Sequence, residues 1–128
     1  MNRRRVVVTG LGIVSPIGNT VAEAWEGALA GKSGITRITR FDPSRLSSQI
    51  AGEVKGFDIA PYMSPKEARR MDLFIHYGLA AALQAWRECG LQISAQNAER
   101  VGINFGSGIG GLPLIEAQHK ELTEKGPR

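Results

Sequence analysis

The hydrophobic pattern at the start of the chain favours a strand. The run Val6–Val8 and the run Leu11–Val14 place apolar residues side by side without polar alternation. Unbroken β-branched runs are typical of a strand that is covered on both faces, so we predict a buried central strand of a parallel sheet over residues 6–14. Gly10 and Gly12 have no Cβ, which lets another backbone approach closely there.

Four later segments have the apolar spacing or the end signals of helices. These predicted helices lie over residues 20–31, 62–70, 72–89 and 112–124. Asn19 or Thr20 can cap the first helix, while Ser64 followed by Pro65 opens the second. In the third and longest helix, Gln84 and Glu88 fall on the polar face, away from the broad apolar face. Gly90 is expected to end this helix.

Two short segments, residues 35–41 and 49–54, are weaker strand candidates, and we predict a third strand over residues 100–106. Strands and helices therefore alternate along the chain. That order predicts an α/β fold with parallel strands joined by right-handed helical crossovers, built as one domain over residues 1–128. The last predicted strand is followed by no further strand to pair with, so we expect the chain to be part of a longer protein.

Charge and cysteine content narrow the functional classes. Sixteen basic against twelve acidic side chains give a net charge of +4. This mild excess fits an acidic partner, but the chain lacks the dense basic face and stacking aromatics that nucleic-acid binding usually requires. The single Cys89 excludes an intramolecular disulfide and favours a reducing compartment. No apolar run is long enough to span a bilayer, and no signal-peptide cleavage site follows the valines, so we predict a cytoplasmic protein.

Gly10, Gly12 and Ser15 nearly match the dinucleotide-binding fingerprint. That fingerprint needs a helix N-terminus that meets the pyrophosphate directly, whereas Pro16 and Gly18 delay the helix here. The pattern therefore favours glycines that serve packing, and nucleotide binding is retained as the third functional hypothesis.

The segment Gly106–Gly111 is glycine-rich and precedes the last predicted helix. A P-loop would end in Gly-Lys-Ser or Gly-Lys-Thr, but Leu112 and Pro113 stand at that place. Two interpretations remain open. The glycines can serve a turn that needs positive φ or close backbone contact, or the loop can lie against a lipid-like ligand through Ile109.

The remaining candidate side chains give weak signals. Cys89 lies at a helix C-terminus, where the dipole disfavours a thiolate, so a core role is predicted. His76 and His119 are predicted to be ordinary helix-surface residues, and one Cys with two distant His does not make a metal site. Three basic side chains, Lys66, Arg69 and Arg70, fall within about one helical turn. Their spacing alone favours a solvated face.

Five motifs, taken in this order, resemble the start of the type II β-ketoacyl-acyl-carrier-protein synthases. They occupy residues 4–12, 15–19, 31–35, 66–72 and 106–111. The resemblance extends over essentially the whole chain. It implies the thiolase-like fold, in which two related α/β halves pack into layers, with this chain supplying most of the first half. It also implies a homodimer.

The resemblance further implies fatty acyl chain elongation. In that family a Cys takes the acyl group from acyl carrier protein as a thioester, malonyl carrier protein loses carbon dioxide, and the resulting carbanion attacks the thioester. Two His support the decarboxylation, and backbone N–H groups form the oxyanion hole. We expect this Cys and these His beyond Arg128, since Cys89, His76 and His119 match no catalytic position. The 128-residue chain alone is therefore expected to be inactive, and no cofactor is expected besides the phosphopantetheine arm of the carrier.

Two family roles match residues of this sequence. Lys66, Arg69 and Arg70 resemble the face that docks acyl carrier protein, whose helical surface is acidic. Ile109 resembles a residue that lines the acyl pocket, where a branched side chain would have to move aside for a long acyl chain. The alternative is a non-condensing, chain-length-factor-like homologue that keeps the docking face and the pocket.

Overall fold

A computed structural model describes residues 3–127. In chain order its elements are α1 (Val21–Leu29), β1 (Ile35–Arg37), β2 (Ile50–Gly52), α2 (Pro65–Ala68), α3 (Leu73–Cys89), a 3-10 helix (Ala98–Arg100) and α4 (Leu112–Lys125). All four predicted helices are confirmed, although α2 is limited to one turn. The residues form two compact units, one from the chain up to residue 58 together with 80–91, and one from 59–79 together with the residues from 92 onward.

The helix ends follow the predicted chemistry. Thr20 caps α1, with its hydroxyl oxygen accepting the Glu23 N–H at 3.2 Å, and the Glu23 carboxylate accepts the Asn19 N–H at 2.8 Å. Gly31 and Gly90 follow α1 and α3 with φ of 65° each, a conformation that glycine adopts without strain. Across the part of the chain that the structure describes, no helix is both long enough and apolar enough to cross a bilayer.

The opening stretch is not the buried central strand that its valines predict. No strand is assigned over residues 6–14, and the side chain of Val6 is 94% exposed, with Val7 and Val8 also exposed. Two backbone N–H groups of this stretch, those of Leu11 and Ile13, bond to helix side chains instead of to another strand. The prediction failed because a hydrophobic run reports a tendency to be buried, but a strand also needs a partner, and residues 3–127 supply none for it.

The predicted close backbone approach at the first two glycines is confirmed. A Cβ on Gly10 would meet the Ala85 carbonyl oxygen of α3, and a Cβ on Gly12 would meet that of Ala81. The glycines are two residues apart and the carbonyls are four apart on the helix. Two residues of extended chain rise about 6.6 Å and four helical residues about 6 Å, so the two spacings match. The opening stretch therefore lies directly on the backbone of α3.

Two polar side chains of α3 fix this contact. The Glu88 carboxylate accepts the Leu11 N–H, and the Gln84 amide oxygen accepts the Ile13 N–H at 3.3 Å. The Gln84 amide nitrogen also donates to the Asn19 carbonyl at 2.9 Å. Gln84 and Glu88, both predicted to lie on the polar face of α3, thus take part in packing, because the incoming backbone brings N–H groups that need acceptors.

The sheet among the described residues is a two-stranded antiparallel ribbon, so the predicted parallel arrangement is wrong here. β1 pairs with β2, with Ile35 opposite Gly52 and Arg37 opposite Ile50. The predicted strand over residues 100–106 is also wrong, since no strand is assigned there and Ile103 is 81% exposed. As with the opening valines, the β-branched pattern occurs without a neighbouring strand.

One buried carboxylate holds the segments that follow β1 and β2 together. Glu53 is 8% exposed, and its oxygens accept the Thr39 hydroxyl at 2.7 Å, the Thr39 N–H at 3.0 Å and the Arg40 N–H at 3.2 Å. The Thr39 hydroxyl is the largest cause that holds the pKa of Glu53 below its ordinary value of 4.5, followed by the backbone N–H of Thr39. These bonds favour the charged form of the carboxyl group.

Thr39→Val is expected to raise the pKa of Glu53 and to lower the stability of the chain at neutral pH. Because the folded-state pKa is depressed, the stabilisation by Glu53 is present above the unfolded value of 4.5 and is lost as the pH falls through the folded-state pKa. The stability difference between the two proteins should therefore shrink in acid. Carboxyl-carbon NMR titration and urea denaturation at several pH values measure both effects. Thr36→Val is the control, and an unchanged Glu53 pKa in Thr39→Val would contradict the assignment.

Candidate functional site

The glycine-rich segment 106–111 is held against the first turns of α3. Phe105, just before it, packs on Gly78, where a Cβ would lie 2.7 Å from the phenylalanine ring. Near its end, Gly110 has φ of 86° and lies beside the ring of Phe74. The Gly110 N–H also donates to the Ser107 hydroxyl at 3.1 Å. The predicted need for positive φ and close contact is therefore confirmed.

The end of this loop is fixed by Asp72. A Cβ on Gly111 would run into the Asp72 carboxylate, so only glycine fits at that position. One oxygen of Asp72 accepts the Leu73 N–H at 2.6 Å, and the other accepts the Leu114 N–H at 3.3 Å. Because Gly111 is the N-cap of α4 and makes no side-chain cap, Asp72 supplies the cap from a different element.

Ile109 lies in the middle of this anchored loop. Its side chain is 73% exposed, and the loop presents it to solvent. The structure therefore places the predicted pocket residue on an accessible segment whose two ends are held by α3. An apolar branched side chain in that setting can contact an apolar ligand.

The three predicted docking residues come together on one exposed turn. Lys66 lies in α2, Arg69 is its C-cap, and Arg70 follows directly; all three are exposed. The turn begins with a capping box in which the Ser64 hydroxyl accepts the Glu67 N–H and the Glu67 carboxylate accepts the Ser64 N–H, both at 3.3 Å. Glu67, the only acidic side chain of the turn, is engaged in this capping box. The surface that the turn presents is therefore cationic.

His76 secures the far end of the same turn. Its Nε2 atom lies 2.9 Å from the Ala68 carbonyl oxygen. Since a carbonyl can only accept, Nε2 carries the proton and donates. His76 therefore ties α3 to α2.

Cys89 and His119 show no catalytic arrangement. The Cys89 thiol donates to the Trp86 carbonyl at 3.1 Å, within the last turn of α3, and is partly buried. His119 is exposed on α4, where its carbonyl accepts the Thr123 hydroxyl at 2.8 Å. Within residues 3–127, no group of three His, Cys, Asp or Glu side chains could hold a metal ion.

The glycine bend of the opening stretch is packed against α3. The positions where Cβ atoms of Gly10 and Gly12 would lie are filled by the backbone of α3. The N-terminus of α1, which would have to face the pyrophosphate, is capped by Thr20 and by the Glu23 carboxylate. A carboxylate at that end would repel an anion, so the geometry disfavours the nucleotide hypothesis.

The backbone of this chain is similar to that of two solved ketosynthase structures, which places it in the thiolase-like fold class. The ishigamide ketosynthase/chain length factor has a TM-score of 0.75 and 31% identity over 97% of this chain, which corresponds to 31% of that chain. A type II polyketide-synthase acyl-carrier protein in complex with its ketosynthase bound to the hexaketide gives a TM-score of 0.73 and 31% identity over 97% of this chain and 32% of that chain.

The chain belongs to the β-ketoacyl synthase family, since the model for the family's N-terminal domain matches residues 3–128. It is 57% identical over its whole length to the 3-oxoacyl-[acyl-carrier-protein] synthase 2 of Vibrio cholerae and 58% identical to that of Vibrio harveyi. The protein of the same name from Coxiella burnetii is 51% identical. The chain spans 31% of the length of each of these relatives.

Asp72 is the residue of this site that the sequence did not reveal. The predicted helix over residues 72–89 begins at Asp72, which says nothing about a partner far along the chain. One signal was present: Gly111 opens α4 without a capping side chain, so an acceptor had to come from elsewhere. The pattern alone does not identify which acceptor fills that role.

Proposed function

We propose that this chain forms part of a β-ketoacyl-acyl-carrier-protein synthase that elongates fatty acyl chains. The observation that carries the proposal is the identity of 57% and 58%, over the whole chain, to two proteins named 3-oxoacyl-[acyl-carrier-protein] synthase 2. Because the chain spans 31% of the length of those relatives, the proposal concerns the enzyme of which it would be a part.

The proposed reaction joins two carrier-bound thioesters. An acyl group is first transferred to a Cys beyond Arg128, which releases the carrier thiol. Malonyl carrier protein then loses carbon dioxide, and the carbanion so formed attacks the acyl carbonyl, forms the new carbon–carbon bond and expels the Cys thiolate. Cys89 is not proposed as that nucleophile, since it is the last residue of α3, where the helix dipole disfavours a thiolate.

The residues of this chain take part in binding. Lys66, Arg69 and Arg70 would dock the acidic helical surface of acyl carrier protein and bring its phosphopantetheine arm to the pocket. One of the similar structures is a ketosynthase in complex with an acyl-carrier protein, which supports a partner of this kind. Ile109 would line the acyl pocket and limit the chain length that enters it.

The complete enzyme is further proposed to act as a cytoplasmic homodimer that needs neither a metal nor a resident cofactor. The chain-length-factor-like alternative keeps the same docking face but lacks condensation. Several similar proteins are named as synthases, which favours the condensing enzyme.

The test is to incubate the full-length enzyme with acyl carrier protein loaded with an acyl chain and with malonyl carrier protein labelled in its free carboxyl group. Release of labelled carbon dioxide together with a β-ketoacyl carrier product is expected. Residues 1–128 alone, used as the matched control, should release none. No product from the full-length enzyme would overturn the proposal, and a longer product made by an added synthase would point to the chain-length-factor alternative.

A further inference from the structure

We propose that Asp72 is a positioning residue which sets the acyl chain length that the enzyme accepts, by fixing the loop that carries Ile109. This inference rests on the proposed function, since it assigns a role within the same pocket. It follows from three features of the second compact unit: the start of α4, the fit of Gly111, and the exposure of Ile109.

The start of α4 depends on Asp72 for its cap. Gly111 has no side chain with which to cap the helix, and Pro113 has no N–H to donate. The Leu114 N–H is therefore a first-turn donor that needs an acceptor from outside the helix, and the Asp72 carboxylate provides it at 3.3 Å. A negative charge at that end also interacts favourably with the helix dipole.

The fit between Asp72 and Gly111 fixes the loop in a second way. The carboxylate occupies the place that a side chain at position 111 would need. The loop backbone thus lies directly on Asp72, whose other oxygen is bonded to the start of α3 through the Leu73 N–H at 2.6 Å. One carboxylate therefore joins the starts of two helices, and the loop is held where they meet.

The position of Ile109 is decided by its backbone and not by its side chain. That side chain is 73% exposed, so little packing holds it in place among the described residues. The adjacent turn is closed by the Gly110 N–H to Ser107 hydroxyl bond, and the following residue is Gly111, which rests on Asp72. Loss of the Asp72 anchor should therefore move Ile109.

The consequence for catalysis is a change in selectivity. A residue that limits the pocket discriminates between long and short acyl chains, and a displaced Ile109 would admit long chains more easily. Differences of one or a few methylene groups in an apolar pocket are worth about tenfold or more in kcat/KM. The preference for a long over a short acyl chain should thus rise about tenfold when the anchor is lost.

The experiment measures the ratio of kcat/KM for a long and a short acyl carrier protein with the full-length enzyme and its variants. Asp72→Ala should raise this ratio, and Asp72→Asn, which keeps one acceptor oxygen, should raise it less. Each ratio comes from a single preparation, so a partly unfolded variant lowers both rates and leaves the ratio unchanged. Glu116→Ala removes the same charge from an exposed position on α4 and serves as the control.

A double-mutant cycle isolates the contact with Gly111. Gly111→Ala should shift the ratio in the unsubstituted enzyme, because its Cβ collides with the carboxylate. In the Asp72→Ala background that carboxylate is absent, so the same substitution should have a smaller effect. Hydrogen exchange gives a readout besides activity: the Leu114 amide should exchange faster in Asp72→Ala and as before in Glu116→Ala.

The outcomes separate the two proposals. An active enzyme whose length ratio is the same in Asp72→Ala as in Glu116→Ala overturns the role of Asp72 and leaves the proposed function intact. Equal effects of Gly111→Ala in both backgrounds also overturn it. An unsubstituted full-length enzyme that forms no β-ketoacyl product overturns the proposed function, and the inference fails with it.

Discussion

Gly12→Ala is expected to destabilise the first compact unit by about 3 kcal/mol or more, because the new methyl group would occupy the place of the Ala81 carbonyl oxygen. That oxygen belongs to the backbone of α3 and is engaged in the helix, so it cannot move aside as the end of a flexible side chain could. Native domains are stable by only about 5–15 kcal/mol, so a loss of this size is a large part of the total. The measurement is the midpoint of urea denaturation.

The matched control is Gly102→Ala, where a Cβ would meet nothing within 4 Å. Both substitutions add one methyl group at a glycine without positive φ, so their difference reports the contact itself. Ala81→Gly should not rescue Gly12→Ala, since removing the Ala81 side chain leaves its carbonyl oxygen in place. Wild-type stability in Gly12→Ala would show that the opening stretch does not lie on α3 as described.

The helices were predictable because their signals are local. Thr20, Ser64 and Gly90 each act within one turn of the helix end that they start or stop, and the structure confirms all three. The requirement for glycine at Gly10 and Gly12 was also predicted. Its partner, the backbone of α3, was not, since the sequence does not state which element approaches a glycine.

The strands at 6–14 and 100–106 could not be settled from the sequence, because a strand is defined by pairing with another segment. Val6 and Ile103 lie in runs with strong β-propensity, yet both are exposed and unpaired among the described residues. β-propensity expresses how well a side chain fits a pleated, half-buried surface, and it cannot create the neighbouring strand. The resemblance to a known family gave the thiolase-like fold class correctly. The alternation of strands and helices predicted parallel pairing, whereas the strands among the described residues pair antiparallel.

The candidate site, like the fold, could be predicted from the sequence only in part. The basic turn was predictable as a cluster, because Lys66, Arg69 and Arg70 are close in sequence. The anchoring of Ile109 was not, since it depends on a hydrogen bond between Asp72 and Leu114, which are far apart along the chain. Contacts between distant residues carry no periodic signal that a single sequence could show.

Reversing the charge of the basic turn, with Lys66→Glu, Arg69→Glu and Arg70→Glu combined, is expected to raise the KM of the full-length enzyme for acyl carrier protein on the order of 100-fold at low salt. The three side chains are exposed, and the turn's own carboxylate is held by Ser64, so the cationic surface is open to an acidic partner. Reversal would turn attraction into repulsion at every contact. The KM for a substrate on a short pantetheine arm, which lacks the acidic protein surface, should change far less.

Salt and a charge-matched control decide whether this turn is the docking face. The combined variant Lys32→Glu, Arg37→Glu and Arg45→Glu alters the net charge by the same amount at other exposed positions, and it should raise the KM only slightly. Ions screen exposed charges over about 10 Å at 0.1 M, so the defect of the basic-turn variant should shrink steadily as salt is added. An equal defect in both variants would mean that net charge alone steers the carrier. A defect that persists at high salt would mean that the substitutions damaged the turn itself. Either result would contradict the docking role of Lys66, Arg69 and Arg70 and would favour an ordinary solvated surface.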